Sequence, residues 1–136
     1  MDEMKIEAKV ENLDEVLAFV DERLEEAGCP MKVQTQLDIA VEEIFVNIAS
    51  YAYAPNSGNA DIGVEITEDP PMVAIRFVDS GIPYNPLAKE DPDITLPAEE
   101  RPIGGLGIYM VKKSMDDVQY EYTNGQNVFT IKKKLQ

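Results

Sequence analysis

Polar and apolar residues alternate from Lys5 to Val10, with Ile6, Ala8 and Val10 on one side, which predicts a half-buried strand. The period then lengthens. Val16, Phe19, Val20 and Leu24 recur at helical spacing, and Gly28 closes that segment. Asn12 stands where a helix cap belongs, with Glu15 three residues on, as in a capping box. Pro30 marks a break. A second helix is predicted from about Met31 to Tyr53, with Leu37, Val41, Ile44 and Ile48 as its apolar stripe. The turn residues 55–58 end it. Two strands follow, Asp61 to Thr67 and Met72 to Val78, joined through residues 68–71 as a hairpin.

Between residues 81 and 103 no period survives. Five of the nine prolines fall there: Pro83, Pro86, Pro92, Pro97 and Pro102. A loop of that length in a compact domain is functional or disordered. A third helix opens at Gly104-Gly105-Leu106-Gly107 and runs through Met110, Val111 and Met115. The strands Val118 to Tyr122 and Val128 to Lys134 flank Asn124-Gly125, a hairpin signal. The order β-α-α-β-β-loop-α-β-β predicts an α+β fold. Its form is a two-layer α/β sandwich, with a mixed, mostly antiparallel sheet and helices on one face. The 136 residues suit one domain, 1–136, with no internal repeat or linker.

Composition narrows the chemistry. With 26 acidic against 12 basic residues the net charge is −14, which disfavours nucleic acid and an acidic membrane surface. The surplus is uneven. Residues 1–28 carry ten acids and three bases, whereas residues 112–136 carry three acids and five bases. An acidic first helix suits solvation or a partner with a basic face. The single Cys29 excludes an intramolecular disulfide and a cysteine-based zinc site. The absence of histidine removes Ser-His-Asp hydrolysis, histidine-ligated metals and phosphorylation on histidine. The start MDEMKIEAKV does not read as a signal peptide, and the longest purely apolar run is Val16 to Val20, so a soluble, cytoplasmic chain is expected.

Carboxylate, hydroxyl and backbone chemistry remain open, and three patches could carry chemistry. Glu43, Asn47 and Ser50 fall within about 60° of one another on the second helix, beside its apolar stripe. A carboxylate there can act as a general base and an amide oxygen can ligate magnesium, although the same residues also suit a solvated face. Asp79, at a strand end and followed by Gly81, can read an amino group such as adenine N6 while the glycine lets backbone approach a flat ring; a plain turn also fits. Gly104, Gly105 and Gly107 at a helix start offer free backbone amides to a phosphate, or simply tight packing. No Lys-Ser or Lys-Thr follows, so this is not a P-loop.

Their order says more than any one of them. A helical E-x-x-x-N, a strand-end D-x-G, a long loop and a glycine-rich helix start resemble the Bergerat ATP-binding domain of the GHKL superfamily. The short free-standing form is most similar to the anti-sigma factor serine/threonine kinases. The resemblance covers nearly the whole chain and rests chiefly on residues 37–47 (LDIAVEEIFVN) and on residues 104–116 (GGLGIYMVKKSMD). It implies ATP with Mg2+ held between helices and sheet beneath a lid at about 82–103. It further implies Glu43 as catalytic carboxylate, Asn47 as magnesium ligand, and Asp79 on the adenine amino group with Gly81 supporting the ring. Gly104, Gly105, Leu106 and Gly107 would admit the phosphates.

Two positions depart from the family pattern: Tyr51 stands where many relatives carry a histidine, and Leu106 where others carry an arginine. Cations for the phosphates are then expected from Lys89 and Arg101 in the lid. The partners implied are an anti-sigma factor antagonist protein, an RNA polymerase sigma factor and a second copy of the chain. Two functions fit: a protein kinase acting on the antagonist, or a nucleotide-binding regulator that sequesters a partner without phosphoryl transfer. An orphaned histidine-kinase catalytic domain is disfavoured, because the chain offers no histidine as acceptor.

Overall fold

The computed structural model describes residues 1–54, 56–68, 70–88 and 106–135. Among them β1 (Asp2–Glu7) leads into α1 (Leu13–Glu26) and α2 (Met31–Asn47), followed by the hairpin β2 (Asn59–Thr67) and β3 (Met72–Asp79). After residues 80–105 come α3 (Leu106–Ser114), β4 (Asp117–Thr123) and β5 (Gln126–Lys134). The sheet order is β1-β2-β3-β5-β4 and every neighbouring pair is antiparallel. The mixed character expected from the sequence is confined to strands that do not touch. β3 and β4 run parallel, but β5 folds back between them, so the crossover through α3 leaves no parallel ladder.

Cross-strand rows show which side the helices cover. Met4, Ile62, Phe77, Phe129 and Tyr120 share one row. Val64, Ile75, Ile131 and Val118 share another on the same face. The opposite face carries the row Glu3, Gly63, Arg76, Thr130 and Gln119, with an Arg76–Glu3 ion pair at 3.4 Å. The helices bury Val16, Val20 and Leu24 from α1 and Leu37, Val41, Ile44 and Phe45 from α2. Ile108, Val111 and Met115 come from α3 and the residue just after it. This is the two-layer α+β sandwich that the hydrophobic periods predict.

Local rules hold at most ends. Gly28 takes φ +72°, and Cys29 N–H and Gly28 N–H donate to Leu24 O and Glu25 O at 3.0 Å each, a Schellman closure of α1. Asn124 (φ 53°) and Gly125 (φ 75°) both occupy the left-handed region that a two-residue hairpin turn needs.

Two local expectations give way. β1 spans Asp2–Glu7 rather than continuing to Val10, because residues Val10–Asn12 wind into a 3-10 turn that leaves Val10 exposed. That turn also gives Asn12 a near-helical φ/ψ of −93°/1°, so its side chain makes no capping bond although it occupies the cap position. Instead Asn12 Nδ2 donates back to Glu7 O at 2.9 Å. Among the described residues no helix is long and apolar enough to cross a membrane.

Candidate active site

The end of α2 is where the site begins. α2 passes at Ile48–Ala52 into a single π-helical turn, the kind of widening that often marks a functional site. The turn delivers the Ala52 carbonyl to β3's exit, where Ile82 N–H donates to it at 3.0 Å. A Cβ on Gly81 would lie 2.6 Å from the Ala52 carbonyl carbon and 2.7 Å from its Cβ, so only glycine lets these two chains pass. The close approach at Gly81 is thus to protein backbone. Tyr53 adds a second tie, its hydroxyl accepting from Ser80 N–H at 2.7 Å and donating to Asn59 O at 2.6 Å.

Between α2, α3 and the sheet lies a small cleft of about 50 Å³. Ile44, Asn47, Ile48, Asp79, Ile108 and Phe129 are among its lining residues. Asn47 from α2 and Asp79 from β3 bring polar groups to a mainly apolar lining. From α2, Asn47 Nδ2 donates to Glu43 Oε1 at 3.2 Å, and the Asn47 amide oxygen, a hard donor of the kind magnesium takes, accepts no hydrogen bond among the described residues. From the end of β3 comes Asp79, only 6% exposed. Its Oδ1 accepts from Gly81 N–H at 2.9 Å and from Asn127 Nδ2 at 3.0 Å, while Oδ2 has no hydrogen bond among the described residues.

Glu43 meets the start of α3. A Cβ built on Gly107 would fall on the Glu43 carboxyl group, well inside 3.0 Å, so the glycine exists where helix backbone and carboxylate touch. This contact brings Glu43 of α2 and Gly107 of α3 into one place. Lys89, Arg101, Gly104 and Gly105 lie outside the described residues; Leu106 is the first residue of α3. The described lining of the cleft contains no lysine or arginine. Tyr51 lines the cleft at its rim and is 61% exposed.

Reasoning from sequence missed Asn127, Tyr120 and Tyr84. Asn127 is 6% exposed and sits opposite Asp79 in the β3–β5 register. Its Nδ2 also donates to Ile82 O at 2.8 Å, and its Oδ1 accepts from Tyr84 N–H at 3.1 Å and from the Tyr120 hydroxyl. The signal was present: in the period-two series Asn127, Phe129, Ile131, one inward position is an amide.

Away from the cleft, α1 and α2 press two acids together. Burial, then a hydrogen bond to Asp21 and the charges of Asp21 and Glu25, push the Asp38 carboxyl up to about 7. Burial and the Asp38 charge push the Cys29 thiol up as well.

A five-stranded antiparallel sheet under helices, with an acid-amide pair on one helix and an acid at a strand end, is an arrangement suited to an ATPase-type domain of the histidine-kinase class. Comparison of sequences agrees: the chain belongs to the histidine kinase-like ATPase domain family, which matches residues 6–133. Among proteins it is similar to are two named Serine-protein kinase RsbW. That of Bacillus mycoides (strain KBAB4) is 31% identical over 134 residues, covering 96% of this chain and 82% of the relative. That of Bacillus cereus (strain Q1) is 32% identical over 138 residues, covering 94% and 84%. A crystal structure of the SiaB-SiaC complex from Pseudomonas aeruginosa contains a chain of like fold. It matches with a TM-score of 0.60 at 13% identity, covering 96% of this chain and 89% of that one.

Proposed function

We propose that this chain is a Mg2+-ATP-dependent serine/threonine protein kinase acting on an anti-sigma factor antagonist of the STAS type, and that it also binds an RNA polymerase sigma factor. One observation carries the reading: Glu43 lies against Gly107 at the start of α3 and is bonded to Asn47, which shares a cleft with Asp79. The names of the relatives support it.

The chemistry follows from that placement. Asp79 Oδ2, having no protein donor among the described residues, accepts the adenine amino group, with Gly81 beside the ring. Asn47 Oδ1 suits a magnesium ion, which when bound neutralises phosphate charge. Backbone amides at the start of α3, with those of Gly104 and Gly105, take the phosphates; Lys89 and Arg101 add positive charge from the lid. Glu43 takes the proton of the acceptor hydroxyl as its oxygen bonds to the γ-phosphorus and the bond to the ADP oxygen breaks. The bound partner chain supplies the serine or threonine, and a homodimer is the expected assembly.

Incubation with labelled ATP, magnesium and candidate antagonist domains from the same genome tests the reading. Label on an antagonist serine or threonine is the expected result. ATP binding without any transfer overturns the kinase and leaves the second reading, a regulator that switches partner affinity without transfer. The specific observation behind that alternative is the lack of a lysine or arginine in the described lining. Under it Glu43→Ala keeps regulation while Asp79→Asn abolishes it.

A further inference from the structure

Asn127 spends all its hydrogen-bonding capacity within the protein. Its two N–H bonds go to Asp79 Oδ1 (3.0 Å) and Ile82 O (2.8 Å), and its oxygen receives Tyr84 N–H (3.1 Å) and the Tyr120 hydroxyl. An amide has two donors and two acceptor lone pairs, so none is left for a ligand. Three of the four bonds act at the cleft. One holds the Asp79 carboxylate, and two pin the segment 82–84, whose Ile82 and Tyr84 line the cleft beside it. The pattern also fixes the amide's orientation, since a flip would set its oxygen against both the Asp79 carboxylate and the Ile82 carbonyl.

We infer that Asn127 is the positioning residue that sets base selectivity at this site, making it selective for a 6-aminopurine nucleotide over a 6-oxopurine one. The inference rests on the adenine-binding reading of Asp79. With Oδ1 held by Gly81 N–H and Asn127 Nδ2, the carboxylate cannot rotate, and Oδ2 alone meets the ligand. An amino group at purine C6 donates to that oxygen. A carbonyl at C6 would place acceptor against acceptor, and a locked carboxylate cannot turn away from it. Discrimination of this kind needs a rigid buried group, because a mobile one would relax around the wrong base. The Asn127 bonds to Ile82 O and Tyr84 N–H hold the adjacent wall, so the base cannot slide to avoid the clash.

Calorimetry with Mg-ATP and Mg-ITP on the full chain reads the inference directly. Wild type should prefer ATP over ITP. Asn127→Leu, close in shape but with no polar atoms, should lose ATP affinity by about tenfold, the scale of one hydrogen bond to a charged group. ITP affinity should change much less, so the ratio collapses. A merely structural role would weaken both ligands alike and keep the ratio.

Asn127→Asp provides a second reading that does not depend on the leucine variant folding. There the two carboxyls must share a proton for residue 127 to donate to Asp79 Oδ1. ATP affinity of that variant should fall as pH rises from about 5.5 to about 8.5, with wild type nearly flat over the same range. Tyr120→Phe, which removes one donor to the amide oxygen, should lower the ATP/ITP ratio by a smaller factor. Wild-type binding of ATP with an unchanged ratio in folded Asn127→Leu, or a flat pH profile in Asn127→Asp, overturns the inference and leaves the site reading intact. Failure of wild type to bind either nucleotide overturns the site reading, and the inference with it.

Discussion

Replacing Gly107 by alanine should separate folding from phosphoryl transfer. The added methyl falls on the Glu43 carboxyl, the far end of a flexible side chain rather than backbone. Glu43 can therefore swing aside, at about 0.5–1.5 kcal/mol for a less favourable rotamer. It also gives up the 3.2 Å bond from Asn47, partly exposed and worth about 1 kcal/mol. Against this, alanine is the better helix former by up to about 1 kcal/mol. The net change in stability should stay within about 1 kcal/mol, or about 4 °C in Tm for a domain of this size.

Transfer should fare differently. Displacing the base by about 1 Å from its line costs on the order of 100-fold in rate. The assay is single-turnover transfer of labelled phosphate to the antagonist domain at saturating ATP, with a thermal melt as the folding control. A double-mutant cycle assigns the cause: Gly107→Ala on a Glu43→Gln background should lose little more. Wild-type transfer by folded Gly107→Ala would refute the argument, and so would a full further loss on the Glu43→Gln background.

Other expectations differ in what they strain. Gly81→Ala meets the Ala52 backbone, which cannot step aside, so it should destabilise the fold by about 1–3 kcal/mol, readable as a lowered urea midpoint. Glu43→Gln keeps volume and the Asn47 contact but not the base; ATP binding by calorimetry should persist while transfer falls by about 100-fold or more. Excess chelator should weaken ATP binding strongly, because the chain carries −14 and the described cleft lining has no lysine or arginine; undiminished binding would contradict this.

Asp38 should make stability fall with pH. The folded chain keeps its proton up to about 7, whereas the unfolded chain releases it near 3.8, so the folded state binds more protons between those values. Stability is full below the lower value, declines as pH rises toward 7 and is level above. Discounted for partial exposure, the fall is on the order of 1–2 kcal/mol. Asp38→Asn should flatten the urea-midpoint profile and raise it at pH 8; an unaltered slope would count against the buried acid pair.

The legible parts of the fold are those in which a side chain's role depends on near neighbours in sequence. The stripes Val16-Val20-Leu24 and Leu37-Val41-Ile44 are buried as their spacing predicts. The Gly28 closure and the Asn124-Gly125 turn follow from residues tolerant of positive φ. Capping by Asn12 was less readable, because a 3-10 turn arising from how β1 leaves the sheet rotates it out of bonding geometry. In the site, Glu43 and Asn47 could be paired from helical spacing alone. The contact of Glu43 with Gly107 could not, since more than 60 residues separate them along the chain.

What the amino-acid order determined by itself was local and periodic: which segments are helix or strand, which side of each turns inward, and which residues carry usable chemistry. It also bounded that chemistry, since a chain without histidine leaves carboxylate, hydroxyl and backbone chemistry open. Tertiary structure alone decided convergence. The return of β5 between β3 and β4 puts Asn127 opposite Asp79, and the π-helical turn carries Ala52 to Gly81. The physical reason is that strand register and helix-to-sheet packing are set by the whole buried core at once. A single residue's contribution to them cannot be read from its neighbours in sequence.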